Sequence, residues 1–184
     1  MLKYLISFYK KNHFLLLVSF TTWIYSDSFD TNLYNNHGVV GLINSPTARF
    51  YNEGVHGITV YDGTPDQKMT LSASPFDWLE GSIFYTRVQN KPYCPETEQY
   101  AFCRQSLKDK GFNLKIRLKE EGIMPAIAIG LYDFAGTGLH SSEYIVASYG
   151  IENIDMHFGL GWGQLNGSSK QITNPLTYIS SSFD

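Results

Sequence analysis

The segment that most limits what this chain can become is Gly111–Lys119, reading Gly-Phe-Asn-Leu-Lys-Ile-Arg-Leu-Lys. Phe112, Leu114, Ile116 and Leu118 share one parity, and Asn113, Lys115, Arg117 and Lys119 share the other. Successive side chains of a strand point to opposite faces, so as a strand this segment is apolar on one side and cationic on the other. Wound as a helix it would scatter its charges around the circumference and leave no apolar stripe. It is therefore read as a strand between two different solvents.

The rest of the chain agrees with β-structure. Aromatics make up 15% of the 184 residues and charged residues only 17%, with sixteen glycines. Aromatic side chains suit pleated surfaces, and glycine permits tight turns. From Gly54 onward, strand-like runs alternate with turn signals. The runs are Val55–Asp62, Lys68–Ser74, Leu79–Gln89, Gly111–Lys119, Pro125–Phe134, Glu143–Gly150 and Ile154–Gly163. In the last, Ile154, Met156, Phe158, Leu160 and Trp162 share one face, opposite Asp155, His157 and three glycines. The pattern predicts an all-β antiparallel meander of about seven strands over residues 55–163.

Residues 1–26 read as a signal peptide: Lys3, Lys10 and Lys11 precede the apolar run Phe14–Tyr25, and Ser26 offers a small residue for cleavage. A retained anchor is the competing reading, although the run is short for a membrane-spanning helix. No cysteine follows the run closely, so lipid attachment is not expected there. Residues 27–54 read as a polar lead and an extended segment, and residues 164–184 as a polar C-terminal tail or truncated loop.

Strands of about 9–11 residues are long enough to cross a bilayer at a tilt. With the N-terminus on the periplasmic side, the turns at Pro75, Glu120 and Glu152 are short, while the opposite connections through Cys94–Cys103 and Ala135–His140 are longer. That asymmetry is typical of transmembrane barrels. On this reading Phe112, Leu114, Ile116, Leu118, Met156, Phe158, Leu160 and Trp162 face lipid, and Lys115, Arg117, Lys119 and His157 face a wet lumen. Those cations could then attract acidic sugars. A soluble periplasmic sandwich that binds carbohydrate through its Tyr and Trp residues makes the opposite assignment from the same alternation.

No catalytic constellation emerges. Gly136-Thr137-Gly138 precedes a strand rather than a helix, so it is a hairpin loop and not a phosphate cradle. The five histidines lack paired metal-ligand spacing. Glu80, Glu143 and Asp155 are the only interior carboxylates in the runs, and nothing in the sequence brings them together for glycan hydrolysis. Cys94 and Cys103 are disulfide candidates in an exported chain. The net charge of −3 gives no reason to expect a nucleic-acid partner. The expectation is a non-enzyme without cofactor or metal.

Several phrases resemble the YjbH family of exopolysaccharide-associated outer-membrane proteins. They are Gly41–Arg49, Pro75–Glu80, Asp109–Leu118, Gly136–Ser148 and Gly159–Gly163, in order over most of the chain. The resemblance implies an outer-membrane β-barrel of a Gram-negative bacterium that works with polysaccharide export. It also implies outer-membrane lipid, exopolysaccharide and other export proteins as partners. Members of that family are longer than this chain, and seven strands are too few to close a bacterial barrel. The chain is thus read as the N-terminal part of a longer protein, or as one completed by strands of another chain.

Overall fold

The computed structural model describes residues 32–94, 105–167 and 173–178. The chain divides between Thr31 and Asn32 into two units, and the first, which carries the expected signal peptide, lies outside the described residues.

The second unit is built on one seven-stranded antiparallel sheet in strict sequence order. Its strands are β3 His56–Asp62, β4 Asp66–Phe76, β5 Leu79–Pro92, β6 Ser106–Lys119, β7 Ala126–Tyr132, β8 Ser142–Ile151 and β9 Ile154–Gly161. A two-residue hairpin precedes it, β1 Gly41–Leu42 against β2 Ser45–Pro46. The meander curls into a half-barrel in which, among the described residues, β3 and β9 form the edges.

Every expected run is a strand, but the ends differ. The polar stretch around the cysteines is partly strand, because β5 and β6 extend until Pro92 pairs with Ser106. Phe76 belongs to β4, leaving only Asp77 and Trp78 to turn the chain before Leu79. The connection at the same end between β6 and β7 spans residues 120–125, longer than the turn expected at Glu120. The short turn at residues 63–65 lies at the end with the longer connections, so the asymmetry is incomplete.

The polarity of the sheet is inverted relative to a water-soluble one. Across β4–β6 the concave face carries Lys68, Thr70, Ser72, Ser74, Glu80, Ser82, Thr86, Asp109, Asn113 and Lys115, all buried. The convex face exposes Ile58, Val60, Met69, Leu71, Ile83, Phe112, Met156, Phe158 and Leu160, with Val60 76% and Phe158 74% accessible. These residues run in cross-strand rows: Ile58 opposite Leu71, Leu71 opposite Ile83, and Ile83 opposite Phe112.

What buries the polar face is the segment Asn32–Phe50, which the sequence presents as the end of a polar lead followed by an extended segment. Val39, Ala48 and Phe50 pack onto the apolar part of the concavity, formed by Ala126, Ala128, Tyr132, Tyr144 and Val146. The fit is close at Gly38, where φ is +75° and a Cβ would lie 2.7 Å from the hydroxyls of Thr70 and Ser72. Only glycine takes both that conformation and that approach without strain.

Candidate functional site

The half-barrel interior is where the chain concentrates its charge and hydrogen bonding. At its centre Lys115 and Glu80 form an ion pair at 3.0 Å, with side chains 0% and 1% exposed. Both come from adjacent paired positions on β5 and β6, so the strand register itself sets the pair. Neither group stops at its partner. Lys115 Nζ donates to the carbonyl oxygens of Val40 (2.9 Å) and Arg49, while the two carboxylate oxygens of Glu80 accept from the amides of Val40 (3.1 Å) and Tyr51 (3.0 Å). The Phe50 ring lies against both Lys115, at 4.2 Å, and Arg117, at 4.6 Å. A charge removed from water needs this degree of satisfaction to be tolerated.

Further bonds seat the same segment. Ser82 Oγ and Asn113 Nδ2 both donate to the carbonyl of His37, at 2.6 Å each. Asn35 Nδ2 donates to the Tyr132 hydroxyl at 3.0 Å, and the Ala48 amide donates to Ser148 Oγ at 2.8 Å. The His37 ring stacks on Tyr132 at 4.0 Å. Its pKa is lowered to about 3, first by burial and then by Lys68 and His140 nearby, so it stays neutral. At the end holding the β6–β7 and β8–β9 turns, Arg49 grips Asp155 through two hydrogen bonds of 2.9 and 2.6 Å and pairs with Glu121. Glu121 is held below the usual carboxylate range, chiefly by the amide of Gly150 and then by Arg49.

The residues expected to face a lumen divide. Lys115 and Arg117 lie on the concave side, but neither is a free cation: Lys115 is matched by Glu80, and Arg117 donates to Glu120 at 3.1 Å. His157 is also on that side, its Nδ1 2.8 Å from Ser148 Oγ. Lys119 follows a register shift after Arg117, pairs with Ile127 of the convex parity, and is exposed. The bulge breaks the simple alternation there.

On the other face Phe112, Leu118, Met156, Phe158 and Leu160 are exposed. Leu114, Ile116 and Trp162 are half-buried. They line a convex-side hollow of about 310 Å³ together with Pro175 and Leu176 of the short 3-10 turn Pro175–Tyr178. Glu143, expected inside, also faces this side, where it accepts from Asn174 at 2.9 Å. Glu80 and Asp155 are each engaged by a different cation of the concave side. The three carboxylates therefore do not form a pair across a cleft. Cys94 is disulfide-bonded, and Cys103 lies outside the described residues. Among the described residues no cluster of His, Cys, Asp or Glu could hold a metal ion, and no helix is long and apolar enough to cross a membrane.

Residues 33–184 match the family model described as "Exopolysaccharide biosynthesis protein YbjH". The chain belongs to the YjbH family. It is 36% identical over 181 residues to the "Uncharacterized lipoprotein YjbH" of Escherichia coli K12, covering 95% of this chain. That alignment spans 25% of the relative, so the chain corresponds to about a quarter of that protein's length. No solved structure matches. The family match includes the segment that fills the concavity as well as the sheet, so the YjbH region begins with the plug rather than at β3.

The plug is the feature that sequence reasoning misses. Its signal was available: Lys115 and Glu80 lie on facing polar parities and need buried partners, and Asn35, Asn36 and His37 lead into a glycine at Gly38.

Proposed function

We propose that this YjbH-family chain forms a stave of an outer-membrane β-barrel that serves exopolysaccharide export or assembly without catalysing a reaction itself. The observation that carries the reading is the inverted polarity of the sheet. A row of Ile, Leu, Met and Phe faces outward on the convex side, while Lys, Glu, Asn, Thr and Ser are sealed inside. Water would penalise that outward surface, whereas hydrocarbon would accept it, and a barrel is the one β-architecture that leaves no edge in lipid. A water-soluble sandwich requires the reverse assignment, with the apolar face covered by a second sheet.

Aromatic placement adds support. Phe76 and Trp78 stack at 5.4 Å beside the β4–β5 turn, at one margin of the apolar band. An aromatic pair at one margin of an apolar band matches part of the girdle pattern of membrane barrels. The polysaccharide role is drawn from the family description. The plug fits a conduit kept closed at rest, since it is seated by many hydrogen bonds as well as by the apolar contacts of Val39, Ala48 and Phe50.

Ile83 tests the reading because it lies in the middle of the apolar band and is half exposed. Ile83→Arg should cost about 2–4 kcal/mol of insertion free energy if the side chain meets the bilayer midplane. The protein should also remain with outer membranes after osmotic shock and leave them only in detergent. Release of the unmodified chain by shock alone, or insertion of Ile83→Arg unimpaired, would sink the barrel reading.

A further inference from the structure

At the end of the half-barrel opposite the Arg49 clasp, the 63–65 turn, the loop before β8 and the bend of the plug enclose a cavity of about 340 Å³. That volume falls within the ~300–1,000 Å³ usual for small-molecule sites. Its wall is unlike the hydrocarbon-facing hollow on the other side. It brings together the rings of His37, Tyr61 and His140, the charged pair Asp66 and Lys68, and the amide of Gln164.

Lys68 is the informative member. Its side chain is only 5% exposed, yet its nearest anionic partner, Asp66, is 3.6 Å away, longer than a hydrogen bond. Its other contact is the face of the Phe84 ring at 5.3 Å. An almost buried ammonium held by one long ion pair and bordering a cavity is unusual, because buried charged groups are normally closely hydrogen-bonded. It differs in this from Lys115, which has three oxygen partners.

We propose that this cavity binds a neutral sugar ring of the polymer. Lys68 donates to ring hydroxyl oxygens, Asp66 accepts from hydroxyls, and Tyr61 offers an aromatic face. The charge balance selects a neutral unit over an acidic one. Lys68 is already offset by Asp66, His37 remains uncharged, and the carboxylates of Asp109 and Asp133 act electrostatically on the same lysine. A uronate or phosphate would enter without a free cation to meet it. The assignment differs from that suggested by Lys115, Arg117 and Lys119, whose charges are spent or lie outside the interior. It rests on the polysaccharide reading above and names the binding site within it.

The test uses the full chain extracted in detergent and saturation-transfer NMR with the methyl pyranosides of glucose, galactose and mannose, and with glucuronate. At least one neutral glycoside should receive transfer and glucuronate none. Lys68→Met should weaken the binding by about tenfold or more, as loss of a charged hydrogen-bond donor does. Since Lys68→Met removes a buried charge, Tyr61→Ala serves as the second variant and should also lose affinity while the protein stays folded. Transfer to no neutral glycoside, equal transfer in Tyr61→Ala, or preferential binding of glucuronate would each overturn the proposal. A chain that resists osmotic shock yet binds none of these sugars refutes the cavity assignment alone. A chain that binds them but is released by shock refutes the membrane reading instead.

Discussion

Two residues, Lys115 and Glu80, hold the interior together, and their energetics are asymmetric. A buried ion pair is a modest source of stability as a whole, because desolvation offsets its attraction, but loss of one partner leaves the other charged and uncompensated. Here each partner also holds backbone groups of the plug, so the pair acts as the joint between plug and wall. Lys115→Met should lower the stability of the detergent-folded protein by about 3–5 kcal/mol, read from its denaturant midpoint. Lys115→Met combined with Glu80→Gln should lose distinctly less than the sum of the single changes, since the double variant carries no orphaned charge. Additive losses would mean that the two side chains stabilise the fold separately. The sequence already discloses that Lys115 faces away from the apolar side, because parity in a strand fixes the direction of a side chain. It does not disclose that Lys115 is buried, because parity says nothing about what lies on that face.

At the scale of elements the strands are legible and the plug is not, for one physical reason. A strand has a two-residue period that survives in β4, β6 and β9 whichever solvent each face meets. Asn32–Phe50 has no period, and its mixture of polar residues with Val39, Val40 and Phe50 does not say by itself which surface it covers. In this molecule the concavity is polar across β4–β6 and apolar around Ala128 and Tyr144, so a segment of mixed character is what fits it. The bulge after Arg117 shows the limit of the period itself: one extra residue moves Lys119 out of the alternation. The plug should respond to acid through His37. The imidazole is neutral in place, with a pKa of about 3, whereas a released histidine has one near 6.5. Between those values the released segment binds a proton that the seated one does not, so seating is fully favoured above about pH 6.5 and weakens as the pH falls towards 3. The protection factors of the Val39 and Val40 amides, taken relative to the intrinsic exchange rate at each pH, should fall over that range. His37→Phe keeps a ring to stack on Tyr132 and should flatten the dependence; an unchanged slope in that variant would assign the response to other groups.

For the whole molecule the decisive quantity is the number of edges. Among the described residues, seven strands in order leave the outer backbone groups of β3 and β9 without sheet partners, and both edges adjoin the apolar band that Val60 and Phe158 expose. In water such edges invite aggregation, and in a bilayer each unsatisfied amide or carbonyl would cost several kcal/mol. Bacterial barrels close with an even number of strands, at least eight. The E. coli relative is about four times the length of the region it shares with this chain, which leaves ample sequence in that protein for further strands. On the barrel reading proposed above, the β3 and β9 edges should therefore be paired in the membrane by further strands. Hydrogen exchange distinguishes the states directly. In detergent the separated 184-residue chain should exchange the outward amides of β3 and β9 quickly and those of β5 and β6 slowly, because only the latter are paired on both sides. In outer membranes the edge amides should slow to the rate of the central strands. If they exchange in the membrane as fast as in detergent, the edges are open there, and the half-barrel must be shielded by something other than strand pairing.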